Sequence, residues 1–165
     1  MTEQITVVKV GISDMNMVKV PNLIRTSGLG SCVGVVLYDQ LRGVAGLAHI
    51  MLPDSSLSKT TPVNIAKFAD TAIIALVKKL EGLGAKKTAL KAKIAGGAQM
   101  FQFSGTTDIM RIGPRNVKAV KKELQQLNIQ IFAEDVGGNS GRTIEFNPEN
   151  CQLTIRTVNK GTSIL

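Results

Sequence analysis

One histidine, His49, and two cysteines, Cys32 and Cys151, bound the covalent chemistry open to this 165-residue chain. Cys32 closes Thr26-Ser27-Gly28-Leu29-Gly30-Ser31-Cys32-Val33-Gly34, a run of small residues that allows a tight backbone and leaves a carbonyl room to reach the sulfur. In such a run the backbone amides of Ser31 and Cys32 are candidate donors to the oxyanion that develops in acyl transfer. His49 opens His49-Ile50-Met51-Leu52-Pro53 seventeen residues later, in apolar company where an unpartnered imidazole is costly. Two readings of Cys32 stand on the residues alone: a nucleophile with His49 as its base, or a small hydrophobe buried in a turn. A lone histidine is more often structural than catalytic. Cys151 falls at the start of a terminal strand candidate and reads as core.

Rival chemistries fail on spacing. Gly28-x-Gly30-x-x-x-Gly34 is one residue too long for a dinucleotide-binding glycine pattern, and no phosphate loop with Gly-Lys-Ser/Thr exists. One histidine and two distant cysteines give no zinc-ligand spacing. Neither a metal nor a cofactor is expected. Sequence cannot pair Asp39 with Asp54, so two-carboxylate hydrolysis has no support.

The elements that must position these groups follow from periodicity. Residues 4–10 predict a strand, 11–17 a covering loop that shields Met15 and Met17, and 22–27 the approach to the glycine-rich segment. Residues 32–39 and 44–52 predict an antiparallel pair joined by Gln40-Leu41-Arg42-Gly43, with Pro53 forcing an exit. Ile65, Phe68, Ala69, Ala72, Ile73, Leu76, Val77 and Leu80 recur at helical steps, which predicts a long helix over 63–80 capped by Asn64. A strand over 88–95 precedes Gly96-Gly97-Ala98. A second helix follows Asn116, burying Val117, Val120, Leu124 and Leu127 and turning Lys118, Lys121 and Lys122 to water. A strand over 129–134, the turn Gly137-Gly138-Asn139-Ser140-Gly141, and a hairpin of 143–146 with 151–158 complete the chain. The fold class expected is α+β: layered mixed and antiparallel β-sheet with a long central helix, in a single domain over 1–165.

Composition narrows the setting. The 44% hydrophobic content suffices for a core without disulfide or metal. No secretory signal opens the chain and no apolar run approaches eighteen residues, so free thiols in a reducing cytoplasm, without membrane insertion, are expected. The net charge of +8 favours an acidic partner surface. Lys78, Lys79, Lys86, Lys87, Lys91 and Lys93 have no aromatics among them, which argues against nucleic acid. That cluster reads as a solvated face or as a docking surface for an acidic protein.

At these motifs the chain resembles the CheD family, the chemoreceptor glutamine deamidases. The glycine-rich cysteine segment and His49-Ile50-Met51-Leu52-Pro53 carry the resemblance most specifically. Lys67-Phe68-Ala69-Asp70, Gly96-Gly97-Ala98, Ile112-Gly113-Pro114-Arg115-Asn116 and Gly137-Gly138-Asn139-Ser140-Gly141-Arg142 support it. The resemblance implies Cys32 as nucleophile, His49 as general base and Thr26 as the partner of the imidazole. Phe68 stands where the family often has tyrosine, with no catalytic role at stake. The implied reaction is hydrolysis of selected receptor glutamines to glutamate with loss of ammonia, through a thioester. The implied partners are methyl-accepting chemoreceptors and a CheC-type phosphatase, and the implied fold is related to cysteine-hydrolase toxin domains. Phe101 and Phe103 are candidate phosphatase contacts. An activated Cys32 is expected to ionise below the ordinary thiol range of about 8.5. The rival reading is a noncatalytic adaptor that binds receptor and phosphatase.

Overall fold

A computed structural model of the chain describes residues 4–100 and 111–165. In chain order the strands are β1 (Val7–Val10), β2 (Met15–Lys19), β3 (Leu23–Leu29), β4 (Val33–Asp39), β5 (Val44–Ile50), β6 (Lys91–Gly96), β7 (Gln130–Val136), β8 (Arg142–Asn147), β9 (Gln152–Thr157) and β10 (Gly161–Ile164). The helices are α1 (Ala69–Gly82) and α2 (Ile112–Gln126). One sheet runs β1-β3-β8-β9-β10 and the other β2-β5-β4-β6-β7. Both are mixed, because β1 pairs with β3, and β6 with β7, in parallel. The α+β layered class is the one observed.

β4 is apolar on both alternations, so both of its faces have to be covered, and all seven of its residues are buried. On one face Val35 and Leu37, with Ala48 and Ile50 of β5, meet Ala72, Ile73, Leu76 and Leu80 of α1 and Val120 and Leu124 of α2. On the other, Val36, Tyr38 and Leu47 meet Ile24, Ile144, Phe146, Leu153 and Ile155 of the second sheet. The order of layers is therefore helices, sheet, sheet. The β4–β5 hairpin forms as its short connection demands, with Asp39 opposite Val44.

Several boundaries differ from the sequence expectation. α1 starts at Ala69 rather than near residue 63, because Asn64 caps a short 3-10 turn at Ile65–Lys67. Lys67 O accepts from both Met51 N and Leu52 N, and Ala69 N donates to Leu52 O. Those backbone groups hold the segment after His49 instead of opening a helix. The covering loop at 11–17 includes the start of β2, an edge strand paired with β5, and its Met15 and Met17 do pack on the helix-side core. The approach at 22–27 is β3 itself. Cys151 precedes β9 in a turn at φ 58°, and β10 had no counterpart in the sequence reading. Lys93 leaves the solvated lysine cluster, donating to Cys151 O at 2.6 Å and Leu165 O at 2.9 Å.

Candidate active site

Three strands consecutive in the chain, β3 in one sheet and β4 and β5 in the other, carry or flank the sequence candidates. β4 and β5 pair with Gly34 opposite His49 and end at Val33 opposite Ile50, so Cys32 lies one residue beyond the ladder, at the end that carries His49. Alternation turns Cys32 with Val36, and His49 with Leu47, toward the second sheet. That sheet supplies Thr26 from β3. Between Thr26 and Leu29 the register with β8 slips by one residue, a bulge that bends the strand, and Gly28 takes φ +72° beside it. The chain leaves the bulge and crosses to the other sheet at Cys32.

The hydrogen bonds of Thr26 fix the state of His49. Thr26 Oγ1 donates its only hydrogen to Val10 O at 2.7 Å. It stands 2.7 Å from His49 Nδ1, and with its hydrogen committed it accepts there. Nδ1 therefore carries the ring proton and Nε2 carries the free lone pair. Nε2 is buried and has no hydrogen-bond partner among the described residues, Cys32 Sγ included. The structure brings Thr26 and His49 into contact and leaves the Cys32–His49 hydrogen bond unclosed. Catalytic hydrogen bonds in free enzymes are commonly long and close in the substrate complex.

The carbonyls of Gly30, Ser31 and Cys32 are each tied from outside the turn. Ala98 N donates to Gly30 O and Gly97 N to Cys32 O, both at 2.8 Å. Asn116 Nδ2 donates to Ser31 O at 2.9 Å. In a planar trans peptide the N–H points opposite to the C=O, so the Ser31 and Cys32 N–H groups point away from these anchors. No backbone carbonyl of another described residue is recorded as accepting from either of them. The anchors need glycine: a Cβ on Gly96 would fall 2.3 Å from Cys32 O, and one on Gly97 2.2 Å from Val117 Cγ2. Asn116 is the residue that sequence reasoning missed, since it was placed at the entrance of the helix. α2 starts at Ile112, and Asn116 is fully buried within it.

Burial governs the electrostatics. Cys32 is 6% and His49 1% exposed. Desolvation pushes the Cys32 thiol up, opposed by its own backbone N–H, and pushes His49 below its ordinary range. Both shifts favour a neutral thiol beside a neutral imidazole. The expectation of a thiolate below the ordinary range is thus corrected: Thr26 is neutral and gives an imidazolium less support than a carboxylate would. Cys151 is 7% exposed, and burial pushes its thiol up as well. Of the described clefts, two flank α2, with volumes of about 510 Å³ and 640 Å³; Gly97 lines the larger, and neither reaches Cys32 or His49. Among the described residues no group of His, Cys, Asp and Glu could hold a metal, and no helix is long and apolar enough to cross a membrane. Phe101 and Phe103 lie outside the described residues.

Comparison with known proteins gives this geometry a context. The family model of CheD, described as chemotactic sensory transduction, matches residues 51–157. A protein of Halalkalibacterium halodurans named chemoreceptor glutamine deamidase CheD is 64% identical over 155 residues, 94% of this chain and 96% of its own. Proteins of the same name from Bacillus licheniformis and Bacillus subtilis are 58% and 57% identical. They cover 99% and 97% of this chain and 97% and 96% of their own lengths. The family match begins two residues beyond His49, whereas these relatives match nearly end to end.

Proposed function

The chain belongs to the CheD family, and on that basis we propose that it hydrolyses glutamine side chains of chemoreceptors to glutamate, with release of ammonia. The whole of 1–165 is read as one such domain. The observation that carries the chemistry is the Thr26–His49 contact, which leaves His49 Nε2 unprotonated. As a substrate carboxamide enters, Nε2 takes the Cys32 proton while Sγ attacks the carboxamide carbon. The Cys32 N–H, with that of Ser31, receives the oxyanion. Collapse of the tetrahedral intermediate breaks the C–N bond, and the imidazolium hands its proton to the departing nitrogen, giving ammonia and a thioester. Water then attacks the thioester as Nε2 accepts its proton. Return of that proton to sulfur restores the thiol and frees glutamate. No cofactor enters this scheme.

A CheC-type phosphatase as partner and action in the cytoplasm belong to the same proposal. Both rest on family membership, and Phe101 and Phe103 are the residues to substitute in a phosphatase-binding assay. The experiment for the central reading incubates the purified protein with receptor cytoplasmic fragments and with unrelated glutamine-bearing peptides. Peptide mass spectrometry then locates new glutamates. Conversion confined to receptor fragments is the expected result. Complete retention of glutamine would favour an adaptor, and equal conversion of both sets would favour a general protein acyl-transfer enzyme.

A further inference from the structure

The β4–β5 ladder pairs no residue beyond Val33 and Ile50. The next step outward would oppose Cys32 and Met51, and there the strands separate. Asn116 stands at that gap. Its Nδ2 donates to Ser31 O at 2.9 Å and to Met51 O at 2.9 Å. One amide group thus bridges the peptide that precedes the thiol and the backbone two residues past His49. We infer that Asn116 is a positioning residue of the reaction, a fork that holds the nucleophile and base backbones at a set separation and aims the Cys32 N–H.

Three features favour this role over simple packing. A carboxamide NH2 has two hydrogens for two carbonyls, which settles its orientation, since the flipped amide would set Oδ1 against both. Oδ1 is left buried without a partner among the described residues, a cost that an apolar residue filling the same space would avoid. The helix that delivers the fork is seated directly on the backbone that clamps the cysteine turn. A Cβ on Gly113 would lie 2.2 Å from Ala98 O and 2.7 Å from Gly97 O. The direction of the Ser31–Cys32 peptide is therefore set from α2, and the N–H so aimed is the group that opposes the burial shift of the Cys32 thiol.

The inference rests on the deamidase reading for its kinetic consequence, and its test separates the two. Wild type, Asn116→Ala and the isosteric Asn116→Asp are compared in deamidation of a receptor fragment and in iodoacetamide labelling of Cys32 across pH. For Asn116→Ala, kcat is expected to fall about 10²-fold, the scale of a misplaced reacting group, with KM little changed. The pH at which Cys32 becomes reactive is expected to move upward. In Asn116→Asp an ionised carboxylate has no hydrogen for either carbonyl, whereas its acid form has one. Its activity is expected to fall as pH rises through that ionisation, a limb absent from the wild type. Wild-type kcat and an unshifted labelling profile in folded Asn116→Ala would overturn the inference, as would an Asn116→Asp profile parallel to the wild type. Failure of both variants to fold would overturn it too, by making Asn116 a determinant of the fold. If the wild type releases no ammonia, the deamidase reading falls and the labelling profiles alone decide the role of Asn116.

Discussion

With its one hydroxyl hydrogen on Val10 O, Thr26 can only accept from His49, so it selects a tautomer without strongly stabilising a charge. Thr26→Val keeps the shape and deletes the acceptor. It leaves Nδ1–H buried and unpaired, at about 1–3 kcal/mol, and removes the hydroxyl bond to Val10 O, so a lower melting temperature is expected. Its kcat is expected to fall about tenfold, less than the 10²–10⁴ that a general base itself supplies. Thr26→Ser restores the hydroxyl and is expected to recover most of the activity in the same steady-state assay. Near-complete inactivation of a folded Thr26→Val would instead give Thr26 a part in the chemistry beyond orientation. The raised thiol has a separate signature. A pKa above the ordinary value means less thiolate at neutral pH than a free cysteine has, so Cys32 labelling by iodoacetamide is expected to be slow near pH 7 and to climb through the alkaline range. A pH-independent plateau of fast labelling below pH 7 would mean a resting thiolate–imidazolium pair. Cys151, equally buried, offers no contrast at neutrality, and only the activity separates the two thiols.

At the scale of elements, the clamp on the cysteine turn depends on close approach of α2 to the Gly96-Gly97-Ala98 backbone. Gly113→Ala sets a methyl against the carbonyls of Ala98 and Gly97, contacts with backbone that cannot rotate aside. Overpacking of this kind costs about 1–3 kcal/mol, expected as a lower denaturation midpoint together with reduced kcat. An unchanged midpoint and rate would show that α2 can shift without consequence. The same elements show what a single sequence exposes. The β4–β5 pair was legible because a two-faced apolar run and a four-residue connection leave few other arrangements, and Cys32, His49 and Thr26 were found through the motifs at its ends. The start of α1 was not legible. Asn64 does cap, but it caps the 3-10 turn, and residues 64–68 serve the neighbouring segment across the chain. β2 was missed because it is only five residues long and Val18 directly after Met17 breaks the alternation that Met15-Asn16-Met17 begins. Asn116 was misread for a similar reason: asparagine ahead of an apolar periodicity resembles a cap. The corrective signal was Pro114, which suits a first helical turn, where its missing N–H costs nothing.

Over the whole molecule, two sheets meet in a core that shields Cys32, while the helices cover the far side of the inner sheet and leave lysines outward. Lys78, Lys79, Lys86, Lys87, Lys118, Lys121 and Lys122 are exposed, and only some are neutralised, as Lys121 is by Glu134 at 2.9 Å. With a net charge of +8, encounter with an acidic receptor surface is expected to weaken as salt screens it. kcat/KM for receptor fragments should therefore fall with added salt while kcat holds. A salt-independent kcat/KM would confine these lysines to solubility. The account as a whole stands on a nucleophile that is built into the core, where its removal deletes one small sulfur and no hydrogen bond between side chains. The measurement that tests it most directly is receptor deamidation by Cys32→Ala, read as new glutamates by peptide mass spectrometry, with folding checked by thermal unfolding. The account predicts a folded protein, with an unfolding transition near that of the wild type, that leaves every receptor glutamine intact. Deamidation at the wild-type rate by that folded variant would contradict it.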